Sequence, residues 1–219
     1  QIFAAEAYNV EVGVTNEIFT DEREQDLSCL LNRLPEDQAD FAAANPIAGL
    51  SDVAAFSAFM RQLAPPTPAA GMPPQVTSNG VSQSLSQTIN TSVADGQQVF
   101  TRIGCALCHT PILNTGASTS ASLNFQMVPL YSDLLIHHMG SGLADGVSQG
   151  LAGGDEFRSA PLWGLGQRIY FLHDGRTTDL IQAIREHASQ GSEANGVVTV
   201  FQSLSSEQKQ SLLNFLRAL

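Results

Sequence analysis

In Ile103-Gly-Cys-Ala-Leu-Cys-His-Thr-Pro111 two thiols stand three positions apart, and an imidazole follows the second at once. About one helical turn separates Cys105 from Cys108, so their sulfurs can reach the two vinyl groups of one porphyrin while the ring of His109 meets the iron. This is the pattern of covalent c-type haem attachment. Zinc would need about four Cys or His ligands at related spacings, and Cys29, the one other cysteine, lies far upstream. A redox-active dithiol belongs in a βαβ setting, which the flanking residues do not offer.

The chemistry of the iron depends on whether its other face is closed by His, closed by Met or left open. His187 follows Leu180 and Ile184 on one apolar helical face, which turns its ring inward. An iron ligand and a core histidine bonded to a backbone carbonyl both fit that position. Met139, in His137-His138-Met139-Gly140, offers a thioether, although methionine serves more often as core filler. His137 and His138 are neighbours and point different ways, which leaves at least one in solvent or in a loop hydrogen bond. His173 precedes Asp174-Gly175 and reads as a turn residue. A haem also brings two propionates that need cationic or amide partners. Arg158, Arg168, Arg176 and Arg185 cluster in the C-terminal third, and Trp163, the single tryptophan, lies among them. Each arginine also fits as a surface cation, and the indole as packing.

The elements that must position these groups read as helices. Ser92 and Asp95 resemble a capping box, and Val99, Phe100 and Ile103 form an apolar stripe leading into Cys105. A helix from about Thr178 to Ala188 carries His187, and another begins at Ser205, where Gln208 completes a capping box before Leu212, Leu213, Phe215, Leu216 and Leu219. Residues 110–170 are rich in Gly, Ser, Thr and Asn and predict loops with brief regular pieces. Upstream, Val53, Phe56, Phe59, Met60 and Leu63 follow helical spacing over Asp52–Leu63. Five prolines between Pro65 and Pro74, followed by Ser, Asn and Gln, mark residues 64–90 as a linker.

Composition sets the outer bounds. With 219 residues, 43% hydrophobic and 14% charged, the chain can bury a core. No run approaches the roughly 18 apolar residues of a membrane span, and the N-terminus lacks the regions of a signal peptide, as expected if an export signal has been removed. Acidic residues outnumber basic ones 21 to 10. The resulting charge of -11 disfavours nucleic acid and anionic lipid and favours a basic protein partner.

Several segments together resemble the bacterial di-haem oxidoreductases, described as thiol oxidoreductases or peroxidases and related to di-haem cytochrome c peroxidase. They are Ala5-Glu-Ala-Tyr-Asn-Val-Glu11, the Ile103–Pro111 segment, Tyr131-Ser-Asp-Leu-Leu-Ile-His-His-Met-Gly140, Arg158-Ser-Ala-Pro-Leu-Trp-Gly-Leu-Gly166 and Tyr170-Phe-Leu-His-Asp-Gly-Arg176. In the peroxidase relatives the helix after the His-Asp-Gly turn carries the distal ligand, as Met or Tyr, and the resemblance puts His187 at that position. It also implies a helix crossing built from Gly96, Phe100 and Phe215. Such enzymes hold two haems, whereas this chain has a single attachment motif, so it resembles their C-terminal portion. Gln1 falls in the middle of the family pattern, as expected of a fragment, a split subunit or a reduced natural version.

The reading that follows is an all-α, loop-rich c-type cytochrome domain over residues 91–219, behind a helical extension (1–63) and the linker (64–90). One covalent haem c is expected on Cys105 and Cys108. His109 and His187 are the expected iron ligands, with Met139 as the alternative and Arg158 and Trp163 at the cofactor. The expected role is single-electron exchange with another redox protein or haem-bearing chain, in the periplasm or outside the cell. The alternatives are the electron-feeding haem domain of a di-haem peroxidase, and a unit of a multi-haem assembly in which residues 1–90 pack on a neighbour and Cys29 has a role.

Overall fold

The structure is a computed structural model and describes residues 1–22, 34–66 and 81–219, the last with side chains from Ser92 onward. Cys29 and most of the proline-rich stretch lie outside the described residues. The chain divides into two compact units, Gln1–Ala64 and Pro65–Leu219.

The first unit holds helices α1 (Ile2–Val12) and α2 (Asp52–Met60). Its fixed point is Asn16, fully buried, whose amide donates to the Ala5 carbonyl at 2.8 Å while its Oδ1 accepts from the amides of Ile18 and Phe19. Helix α2 begins at Ser51, whose hydroxyl accepts from the Ala54 amide. The Asp37 carboxylate takes the amides of Asp52 and Val53, so an anion sits at the positive end of the helix. Of the stripe expected on this helix only Val53 is buried; Phe59 is 61% exposed and Leu63, beyond the helix end, 49%. Tyr8 of α1 meets Phe56 with ring centroids 6.1 Å apart.

The second unit is organised by α3 (Val81–Ile103) and α6 (Ser206–Ala218), with α4 (Leu180–Glu186) and α5 (Asn195–Ser203) packed around them. Val99, Phe100 and Ile103 of α3 meet Leu212, Leu213, Phe215 and Leu216 of α6, together with Phe201 of α5 and Leu180 of α4, in one buried cluster. At the crossing a Cβ on Gly96 would run into the Ser211 carbonyl and stand 2.7 Å from Phe215 Cβ, so only a glycine lets the backbones come this close. The rings of Phe100 and Phe215 meet edge to face beside it, 5.3 Å between centroids. Ser205 and Gln208 form the reciprocal cap that the sequence pattern predicts for α6.

The all-α expectation is incorrect. Among the described residues two antiparallel ribbons accompany the six helices: β1 (Leu113–Asn114) with β2 (Met127–Val128), and β3 (Ile136–His138) with β4 (Glu156–Arg158). Strands of two or three residues are too short to print an alternation of period two, which is why the sequence showed none. Helix α3 begins at Val81, so residues 81–90, read from composition as linker, form its first turns. Ser92 therefore lies inside the helix, where its hydroxyl accepts from the Asn214 amide of α6 at 2.8 Å. Three helices rather than two close the chain, because α5 begins at Asn195 without a side-chain cap to announce it.

In an exposed helix interior Gly→Ala stabilises by about 1 kcal/mol. At Gly96 the collision with the α6 backbone reverses that sign, and Gly96→Ala is expected to cost about 1–3 kcal/mol. Urea unfolding followed by circular dichroism measures it; a midpoint at or above that of the parent protein contradicts the crossing.

Candidate functional site

Helix α3 ends at Ile103, and Gly104, at φ 104°, breaks it in a conformation other residues rarely adopt. The chain then makes a tight turn over Cys105–Leu107, closed by the His109 amide donating to the Cys105 carbonyl at 2.9 Å. Residues 131–133 run alongside and hold the turn. Their amides donate to the carbonyls of Pro111 (3.3 Å), Thr110 (2.9 Å) and Cys108 (2.8 Å) in that order.

Both cysteines are free and half-buried. Burial pushes the Cys105 thiol up to about 11, and burial together with the Asp133 and Glu193 carboxylates raises Cys108. Both thiols are thus held in the protonated form, whereas a free reactive dithiol has a depressed value. No cluster of His, Cys, Asp and Glu among the described residues is arranged to hold a metal ion directly.

His109 is half-buried, with Nδ1 3.0 Å from the Tyr131 carbonyl. Burial lowers its pKa and His187 lowers it further, against the opposing pull of the Tyr131 and Ala160 backbone and of Asp133. Burial thus favours the neutral ring, in which Nδ1 donates to the Tyr131 carbonyl. Tyr131 accepts from a strained position, φ 52°, while its own ring packs edge to face on Phe100 and Phe215.

His187 caps the C-terminus of α4, one turn past Ala183, and its Nδ1 lies 2.7 Å from the Ala183 carbonyl. Burial lowers its pKa as well. The structure therefore contains two imidazoles whose burial favours the neutral form, each with Nδ1 tied to a carbonyl. A neutral imidazole with its other nitrogen tied to a carbonyl is the state in which histidine ligates iron. The residues present thus fit a haem, with Cys105 and Cys108 beside one imidazole.

The other expected residues have partners of their own. Met139 is half-buried; its amide donates to the Asp155 carbonyl, and its carbonyl accepts from the Ser189 hydroxyl. Trp163 is half-buried with its indole N–H given to the Pro129 carbonyl at 2.8 Å. Arg158 is exposed at the end of β4. Arg176 is engaged by Asp174 and by the Gly142 carbonyl, both at 2.6 Å. His173 stacks on Phe157, 4.4 Å between centroids. On β3 the two neighbouring histidines diverge as strand geometry requires: His138 is exposed beside Asp155, and His137 turns inward between Asp133 and Glu193. Tyr131, Asp133 and Glu193 were not anticipated. A carbonyl acceptor carries no side-chain signature, and Glu193 is 56 residues from His137.

Burial opposes charge on His137, but the Glu193 and Asp133 carboxylates outweigh it and raise its pKa above 6.5. The His137 bond brings Glu193 below its ordinary 4.5. A raised histidine stabilises fully below about 6.5 and loses its contribution as pH rises through the folded value; a lowered carboxylate stabilises above 4.5 and loses it as pH falls. Glu193→Gln should therefore reduce the unfolding midpoint most between pH 4.5 and 6.5 and least in alkali. A difference between variant and parent that does not vary with pH would contradict the pairing.

No curated protein and no solved structure matches the chain. A family model described as "Di-haem oxidoreductase, putative peroxidase" matches residues 81–219. The matched region contains the Cys105–His109 turn, β3, β4 and His187, and it covers well over half of the sequence. The chain belongs to the di-haem oxidoreductase family, and its chemistry is the redox chemistry of haem.

Proposed function

We propose that this chain carries one c-type haem bonded through Cys105 and Cys108, with iron held between His109 and His187, and that it passes single electrons to or from another redox centre. The observation that carries this reading is the pair of half-buried imidazoles, each with Nδ1 committed to a carbonyl. A bound haem supplies a one-electron Fe(III)/Fe(II) couple. The protein's part is to keep both rings deprotonated at Nε2, fix their orientation and surround them with apolar side chains. Ligation by two imidazoles generally sets a lower potential than His/Met ligation. Arg158 and Trp163 border the cofactor in this reading.

Attachment of haem c follows export in bacteria, so the proposal carries a periplasmic or extracellular location. Among the described residues no helix is long and apolar enough to cross a membrane. The excess of acidic over basic residues, 21 to 10, suits a partner with a basic docking face.

The family description favours a second reading, in which this haem feeds electrons to a peroxide-binding haem on another domain or chain. Both readings share the same iron site and differ in whether this chain alone turns over peroxide.

Two measurements test the proposal. The oxidised protein should show a low-spin, six-coordinate spectrum, and His187→Ala should convert it to a high-spin or ligand-exchangeable form; an unchanged spectrum transfers the second ligand to Met139. The chain alone should show no appreciable peroxide turnover with a reduced donor, because an iron closed on both faces offers peroxide no site. Turnover would contradict the carrier reading.

A further inference from the structure

Iron ligands from segments as distant in sequence as His109 and His187 need something to fix their separation. His137 lies between those segments. Its Nε2 is 3.0 Å from Asp133 Oδ2 and its Nδ1 2.9 Å from Glu193 Oε2. An ionised carboxylate only accepts, so both ring nitrogens donate and the ring is a cation. The same Nδ1 is 3.6 Å from Cys108 Sγ.

Each carboxylate is anchored to a different ligand segment. The Asp133 amide donates to the Cys108 carbonyl at 2.8 Å, and its Oδ1 takes the Ser159 hydroxyl at 2.5 Å, so it is fixed to the chain immediately before His109. Glu193 sits in the turn that follows His187, where the Ser192 hydroxyl donates to the His187 carbonyl at 2.6 Å. Glu193 is joined to β3 in both directions: its amide donates to the His138 carbonyl at 2.9 Å, and its Oε1 accepts the His138 amide at 3.1 Å.

We propose that His137 is a positioning residue that ties the His109 segment to the His187 segment through Asp133 and Glu193, and so holds the two imidazoles at the separation an iron needs. This rests on the reading of His109 and His187 as paired ligands. Glu193 is 49% exposed, so the pair adds little to overall stability. Its effect is on ligand geometry, where losing a supporting hydrogen bond typically costs 10–100-fold in metal affinity or activity.

The test uses the haem-loaded protein, with His137→Ala and Glu193→Gln compared against the parent. Mass spectrometry follows haem content, absorption follows spin state, and cyanide binding to the ferric iron follows exchange of the distal ligand. Haem content should be unchanged, the low-spin fraction should fall, and cyanide should bind about tenfold faster or more in His137→Ala. Glu193→Gln should shift exchange in the same direction, and it decides alone if His137→Ala fails to fold. Variants that exchange at the parent rate, even if they melt earlier, overturn the proposal while leaving a low-spin parent, and with it the paired-ligand reading, intact. A high-spin parent removes that reading and the tie with it.

Discussion

An imidazole binds iron only while it is neutral and turned the right way, and in the proposed site burial favours the first condition while a carbonyl fixes the second. His109 and His187 lie on unrelated elements, one on a tight turn and the other at a helix end, yet each gives Nδ1 to a main-chain oxygen. For His187 the acceptor is four residues back on its own helix, so the orientation of the ring comes with the helix. For His109 it comes from Tyr131, so that ring depends on a segment 22 residues away.

The rest of the second unit serves these two placements. The crossing of α3 and α6 at Gly96 lets Phe100 and Phe215 meet, and against this pair Tyr131 is seated. Because the ring of Tyr131 belongs to the core and its carbonyl to the site, a core shift would be transmitted directly to His109. The three backbone bonds from residues 131–133 to the turn at 108–111 make that coupling stiff.

How much of this could be read in the residues follows from distance along the chain. The cysteine and histidine motif is contiguous, so a haem could be expected from spacing alone, and the family match supports haem chemistry. The start of α6 was legible because its cap is a four-residue pattern, and the apolar face carrying His187 because helical periodicity spans only two turns. The short ribbons were not, since two or three residues cannot establish a period. Nor was the true start of α3, where a polar stretch without apolar rhythm hid the first turns. The network around His137 assembles groups from residues 108, 133, 137 and 193, and no local rule connects them. The stripe expected on α2 shows the converse: regular spacing predicted burial for side chains that the first unit leaves largely exposed.

Tyr131 has one further consequence, for what evolution or engineering can do at that position. Its backbone lies at φ 52°, where an ordinary L-residue carries a steric cost of roughly 1–2 kcal/mol. Glycine would remove that cost but would also remove the aromatic ring; Val, Ile or Thr would bring a branched Cβ into the least tolerant backbone geometry. Asparagine suits the dihedrals but leaves an amide where the core demands an apolar plane. Nearly every single replacement thus worsens one of two independent requirements, which makes the site a narrow one in sequence space although it contributes no side-chain atom to the chemistry.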